Sequence, residues 1–136
     1  MGSKVTPAQV EDELASFRGE KSIRQETPLS VRLATEHIHG HLFDPELTVK
    51  RLRKQLGLTD AMFSTRFRHH HGCSPACYIR RLRVEAAKRL FRHFDDLPAA
   101  AVALYVGYEH YRTFARVFKR VTDQSPQAFR EEDESA

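Results

Sequence analysis

The sequence predicts an all-α fold in which two small helical units of like design are joined by a long connecting helix. Three observations predict it. Apolar residues recur at helical spacing from Ser30 nearly to the end of the chain, and no stretch alternates like a strand. The breaks between these stretches carry helix start and stop residues, Thr or Ser-Pro on one side and Gly on the other. One pattern of apolar and turn residues also occurs twice, about fifty residues apart.

The elements follow in order. Thr6-Pro7 reads as an N-cap and first helical residue, with Glu11 to Glu13 near the positive end of the dipole and Val10, Leu14 and Phe17 on one face. Gly19 to Pro28 lacks periodicity and reads as a linker. Val31, Ala34, Ile38 and Leu42 form a stripe that stops before Asp44-Pro45. Thr48 caps a segment with Leu52 and Leu56 inward, closed by Gly57. Thr59 is expected to cap the next, which carries Phe63 and Phe67 and is closed by Gly72. Ser74-Pro75 opens a longer helix with Tyr78, Leu82, Ala86 and Leu90 apolar. Asp96-Leu97-Pro98 begins another segment ending at Gly107, Glu109 or His110 starts the stretch with Phe114 and Phe118, and Ser125-Pro126 opens a short last helix.

Charge is unevenly distributed along the 136 residues, whose net charge is +4. Between Lys50 and Arg92 there are twelve lysines and arginines against two acids, a local net of +10, while acids gather in Glu11-Asp12-Glu13 and Glu131-Glu132-Asp133-Glu134. A basic middle between acidic ends points to a polyanionic partner. Two cysteines, Cys73 and Cys77, make no disulfide framework and fit a reducing compartment. No apolar run approaches the roughly 20 residues that span a bilayer, which argues against a membrane.

The repeat is specific. Leu47, Leu52, Leu56 and Gly57 recur fifty residues on as Leu97, Val102, Val106 and Gly107. Phe63, Phe67, Gly72, Ser74-Pro75 and Tyr78 recur at fifty-one as Phe114, Phe118, Asp123, Ser125-Pro126 and Phe129. Each copy reads as a short helix, a tight glycine turn and a second helix, the helix-turn-helix arrangement. The turn glycine supplies a left-handed backbone conformation that costs other residues a Cβ clash.

Residues from about Ser30 to Arg130 resemble the DNA-binding domain of the AraC/XylS-family transcription regulators. The second unit carries Val106-Gly107-Tyr108, Phe114, Arg116, Phe118-Lys119-Arg120 and Ser125-Pro126 with Phe129-Arg130. The first carries Leu56-Gly57-Leu58-Thr59, Phe67-Arg68, Gly72, Ser74-Pro75 and Tyr78-Ile79, and the connecting helix carries Arg81-Leu82-Arg83 and Ala86-Ala87-Lys88-Arg89-Leu90. The resemblance implies two homeodomain-like helix-turn-helix subdomains. The first spans about 48–71, the connecting helix about 75–92 and the second about 97–120, within a domain covering 30–130. Residues 1–29 precede it as an extension and 131–136 follow as an acidic tail.

The resemblance further implies that the second helix of each unit enters a major groove, with successive grooves on one duplex face. Base contacts then fall to Ala61, Ser64 and Thr65 in the first unit and to Tyr111, Arg112, Ala115 and Arg116 in the second. Lys50, Arg51, Lys54, Thr59, Arg66, Arg68, Arg80, Arg81, Lys119 and Arg120 would contact phosphates, which position a protein without reading sequence. The two reading faces are unequal. Arg112 and Arg116 stand at i,i+4 and can each fork onto a guanine, whereas Ala61, Ser64 and Thr65 offer hydroxyls and methyls. The second unit is thus expected to carry more of the base discrimination. Arg53 stands where its counterpart is Ala103 and is expected to snorkel outward over its aliphatic stem.

His69-His70-His71 beside Cys73 and Cys77 invites a metal reading. Adjacent helical residues point about 100° apart and zinc spacings are absent, and the resemblance implies that Cys73 fills the apolar slot the family has after the glycine. The histidines are expected to end the first recognition helix with partial positive charge. No cofactor is implied. Asp60 and Glu85, the only acids of the basic region, stand alone, and no glycine-rich phosphate loop or nucleophile–base arrangement argues for an enzyme. The family implies a bacterial, cytoplasmic protein working at the nucleoid, with double-stranded DNA and RNA polymerase as partners. It also implies a sensing or dimerisation domain, for which the 29 residues ahead of the match are too few. The alternative reading is a helical protein-interaction adaptor whose basic face meets acidic proteins.

Overall fold

The structure, a computed structural model, describes residues 5–21, 23 and 27–135. Among these there are eight helices and no strand: α1 (Pro7–Gly19), α2 (Leu29–His41), α3 (Val49–Leu56), α4 (Phe63–His71), α5 (Pro75–His93), α6 (Ala99–Tyr105), α7 (Tyr111–Thr122) and α8 (Pro126–Ser135). α3 with α4 and α6 with α7 are the two helix-turn-helix units, and α5 is the connecting helix.

Local chemistry sets the boundaries. The Thr6 side chain accepts from the Gln9 amide while the Gln9 side chain accepts from the Thr6 amide, a reciprocal capping box. Thr48 and Ser74 cap α3 and α5 by accepting from the Arg51 and Cys77 amides. The first turn of α1 contains no acid, because the helix starts early enough to put Glu11 to Glu13 a turn further in. Glu13 has a different use. Arg89 of α5 donates to Glu13 at 2.5 Å and to Glu20 at 2.8 Å, while Lys21 pairs with Glu85 at 3.4 Å. Val10, Leu14 and Phe17 are buried beneath these pairs, so α1 is a cap on α5. Of the expected linker, Lys21 and Thr27 are packed, and residues 22 and 24–26 lie outside the described residues.

α5 is the axis of the molecule. α1, α4, α6, α7 and α8 all pack against it, which is why burial on α5 is wider than one stripe and takes in Ile79, Leu82, Val84, Ala86, Ala87, Leu90 and Phe91. Phe91 stands within 6.4 Å, centroid to centroid, of Phe114, Phe118 and Phe129. At the other end Tyr78 meets the edge of Phe67 at 5.5 Å. α8 runs on through the acidic residues expected to form a tail, ending at Ser135; Ala136 is not among the described residues. Asp123 repeats, at the end of α7, the left-handed conformation that Gly72 has at the end of α4, with φ of 65° against 79°.

Candidate nucleic-acid interface

In the first unit α3 ends at Gly57, whose φ of 66° is left-handed, and the chain turns into α4 through Leu58 to Met62. Arg53 lies inside this turn. Its guanidinium lies over Phe63, with the central carbon 5.3 Å from the ring centroid, and is turned back onto the chain rather than extended outward as expected. Nε donates to the Leu58 carbonyl and Nη2 to the Asp60 carbonyl, each at 3.0 Å, and Nη1 reaches Ser64 Oγ at 3.4 Å. Two turn carbonyls attract the charge more strongly than an open surface does, so the guanidinium folds back.

Thr59 does not cap α4. The helix begins at Phe63, with Met62 at the N-cap and no side-chain cap bond, and Asp60 Oδ1 instead accepts from the Met62 amide at 2.8 Å. An aspartate reaches the amide two residues on more readily than a threonine four residues ahead of its helix. That amide, together with Arg66 and Arg53, holds the Asp60 carboxyl below its usual range. Ala61 consequently lies in the turn rather than on the recognition helix. Of the three expected base readers here, Ala61 and Thr65 are exposed, and Ser64 is half-buried and engaged by Arg53. Arg66 Nη1 pairs with Asp60 Oδ2 at 2.8 Å.

The second unit differs. Gly107 has φ of 103°, His110 is the extended N-cap, and α7 starts at Tyr111. Phe114 and Phe118 are buried on one side of α7. Tyr111, Arg112 and Arg116 are exposed and Ala115 half-buried, so the four expected readers stand together over the first turns. The Tyr111 ring rests 6.0 Å from Phe114, centroid to centroid. Neither Arg112 nor Arg116 has a hydrogen bond or ion pair among the described residues.

The expected phosphate contacts divide in the same way. Lys50 and Lys54 are exposed on α3, and Arg51 pairs with Glu46 at 2.9 Å. Arg68 is exposed on α4; on α5, Arg81 is exposed and Arg80 half-buried. Lys119 and Arg120 are exposed in the last turn of α7, and Thr59 is exposed in the first turn loop. α6, the counterpart of the basic α3, carries no charged residue at all.

Burial of His71 works against the positive charge expected at the end of α4. Its Nε2 lies 2.9 Å from Thr35 Oγ1, and Thr35 spends its own proton on the Val31 carbonyl at 2.7 Å, so the imidazole is the donor. Tyr78 stands 4.4 Å from the His71 ring and 5.9 Å from His39, centroid to centroid, with its hydroxyl 2.7 Å from His39 Nε2. Burial lowers the pKa of His39 and His71 and pushes Tyr78 up to about 12. His69 and His70 remain exposed. The sequence reading missed this stack, because a histidine on an apolar face gives no sign of which partner it will meet. Cys73 is buried after the glycine, and among the described residues no group of three or more His, Cys, Asp or Glu side chains is placed to hold a metal.

Comparison with known proteins agrees with this geometry. A family profile described as a helix-turn-helix domain matches residues 52–132. The HTH-type transcriptional regulator YobQ of Bacillus subtilis (strain 168) is 33% identical over 94 residues, 69% of this chain and 38% of that protein. The arabinose operon regulatory protein of Escherichia coli (strain K12) is 32% identical over 100 residues, 74% of this chain and 34% of that one. The chain thus spans little more than a third of the length of these relatives. Among solved structures, the C-terminal domain of AraT, a response regulator from Geobacillus stearothermophilus, superposes with a TM-score of 0.73 at 25% identity, covering 79% of this chain and 88% of that one. The DNA-binding domain of AdpA, solved in complex with a target DNA, shares the fold with a TM-score of 0.68 at 24% identity, covering 78% and 94%.

Proposed function

The chain belongs to the AraC/XylS-type helix-turn-helix family, and from that premise we propose that it binds double-stranded DNA sequence-specifically and regulates transcription. The two units divide the work. The second reads bases through Tyr111, Arg112, Ala115 and Arg116, and the first anchors the protein on phosphates while Ala61, Ser64 and Thr65 add weak contacts. One observation carries this reading: Arg112 and Arg116 stand exposed and uncommitted, whereas Arg53 and Arg66 of the first unit are tied to their own turn. A guanidinium free of internal partners can fork onto guanine O6 and N7, while one already paired must first give up that partner.

Scale supports the arrangement. The 19 residues of α5 extend about 28 Å at 1.5 Å per residue, close to the roughly 34 Å of one duplex turn. Relatives named as transcription regulators and the AdpA domain held on target DNA point the same way. The role is that of a binding protein rather than an enzyme. Among the described residues no helix is long and apolar enough to cross a membrane, and a DNA target puts the protein at the bacterial nucleoid.

Selection of bound duplexes from a random library tests the reading. The expected result is one asymmetric site about two turns long. A short palindrome would overturn the two-unit arrangement. Failure of any duplex to compete better than random DNA at moderate salt would favour the basic adaptor instead.

A further inference from the structure

Arg83 is buried, with 6% of its surface exposed, in the middle of α5 and on the side of the helix that carries Ile79 and Ala87. Its Nε donates to the Leu42 carbonyl and its Nη2 to the Asp44 carbonyl, each at 2.8 Å. Both acceptors lie in the loop that joins α2 to α3, at the entrance to the first unit. The same guanidinium lies over the Tyr108 ring, 5.1 Å from its centroid. A Cβ on Gly107 would stand 3.0 Å from both Cζ and Nε. Gly107 and Tyr108 are the turn of the second unit. One side chain is therefore hydrogen-bonded to the approach of one unit and packed beneath the turn of the other.

The rest of the packing makes that position matter. In the first unit α3 packs mainly on α2, and α4 on α2 and α5, whereas α6 and α7 of the second pack on one another and on α5. α5 fixes the distance between the units, but a helix used as an axle leaves rotation about itself to be set by whatever bridges them. A buried charge costs free energy that an apolar side chain of the same size does not. Here the charge meets neutral carbonyls rather than a carboxylate, so it keeps an electrostatic hold on both the loop and the ring face.

We infer that Arg83 is a positioning residue that fixes the rotation of the second unit against the first, and thereby sets the base-pair spacing the protein accepts between its two subsites. The inference rests on the DNA-reading function proposed above. Each base pair inserted between two subsites turns one against the other by about 35° and moves it about 3.4 Å, so a strut that limits rotation also limits accepted spacing.

The test uses the full chain and the duplex recovered by selection, with versions carrying one base pair more or fewer between the subsites and a short duplex holding the second subsite alone. Arg83→Lys keeps charge and stem but cannot reach both carbonyls. It is expected to bind the selected duplex about tenfold more weakly, the cost of lost preorganisation, and to discriminate less against altered spacing. Its affinity for the short duplex should match that of the unaltered protein. Tyr108→Phe keeps the ring and serves as a control with full spacing preference, and circular dichroism confirms that both variants are folded. Unchanged spacing discrimination in folded Arg83→Lys overturns this inference alone, as does an equal loss on every duplex. Failure of the unaltered protein to select any duplex overturns the DNA-reading function and this inference with it.

Discussion

Arg66 and Asp60 form an ion pair of 2.8 Å across the start of α4, within the first helix-turn-helix unit. The pair cancels a positive charge at the start of the helix proposed to enter a groove, and both side chains are about half exposed, at 50% and 52%. An exposed pair of this kind contributes little to folding, because water screens it. Its effect is on what the surface offers a phosphate.

Asp60→Asn should therefore release Arg66 while keeping an acceptor for the Met62 amide. Affinity for random duplex is expected to rise several-fold, and the slope of log affinity against log salt to steepen by about 0.9, one additional phosphate contact. Titrations at a series of salt concentrations check this, and an unchanged slope would show that Arg66 contacts no backbone.

Arg112→Ala and Arg116→Ala should each weaken binding to the selected site by about 1–3 kcal/mol and relax the base preference at one position. Repeating the selection with each variant reads the result directly. A uniform loss across all sequences would assign these arginines to phosphates.

The two turn glycines should differ in tolerance. A Cβ at Gly57 meets open space at φ of 66°, so Gly57→Ala pays only the left-handed penalty of about 1–2 kcal/mol. At Gly107 the added Cβ also presses on Arg83, and the total is expected to be about 2–4 kcal/mol. Denaturant unfolding of both variants measures the difference.

Stability should fall on mild acidification. Burial lowers the pKa of His39, with Lys21 and His71 adding repulsion, and of His71, with His70 adding repulsion. The unfolded chain then binds protons that the folded chain resists, so their contribution is complete above pH about 6.5 and is lost as the pH drops below it. Thermal melts across that range check the sign, and His71→Gln should flatten the dependence.

Phe17→Ala should destabilise the protein by about 3–4 kcal/mol through loss of a buried ring, since Phe17 is only 4% exposed. α1 holds none of the residues proposed to read bases, so the folded variant should bind DNA within about twofold of the unaltered protein. Calorimetry and titration together separate the two effects.

Helix positions were legible because they depend on neighbours in sequence. The caps at Thr6, Thr48 and Ser74 and the closing residues Gly57 and Gly72 each act within a turn of their own position. The start of α4 was misread because Thr59 and Asp60 compete for the same turn, and only the backbone geometry decides which oxygen meets the Met62 amide. Arg53 and Arg83 were misread or missed for a common reason. A guanidinium on a long stem can reach carbonyls five or forty residues away, and nothing in the local pattern announces which. The one visible trace of Arg83 was a charge set among the apolar residues of α5. The placement of Arg112 and Arg116 on one exposed side of α7 was legible because they share a helix and need no partner to be placed.

The shared aromatic packing around α5 has a consequence for cooperativity. Phe91 and Tyr78 stand on one helix yet complete the interiors of different units, and the buried residues of both join in a single core. A pattern duplicated in the chain is thus not duplicated in its interior. Neither half keeps a complete interior once α5 is taken from it, so the two units gain and lose order as one body. Damage to the first unit lowers the population of folded second unit as surely as damage to the second itself.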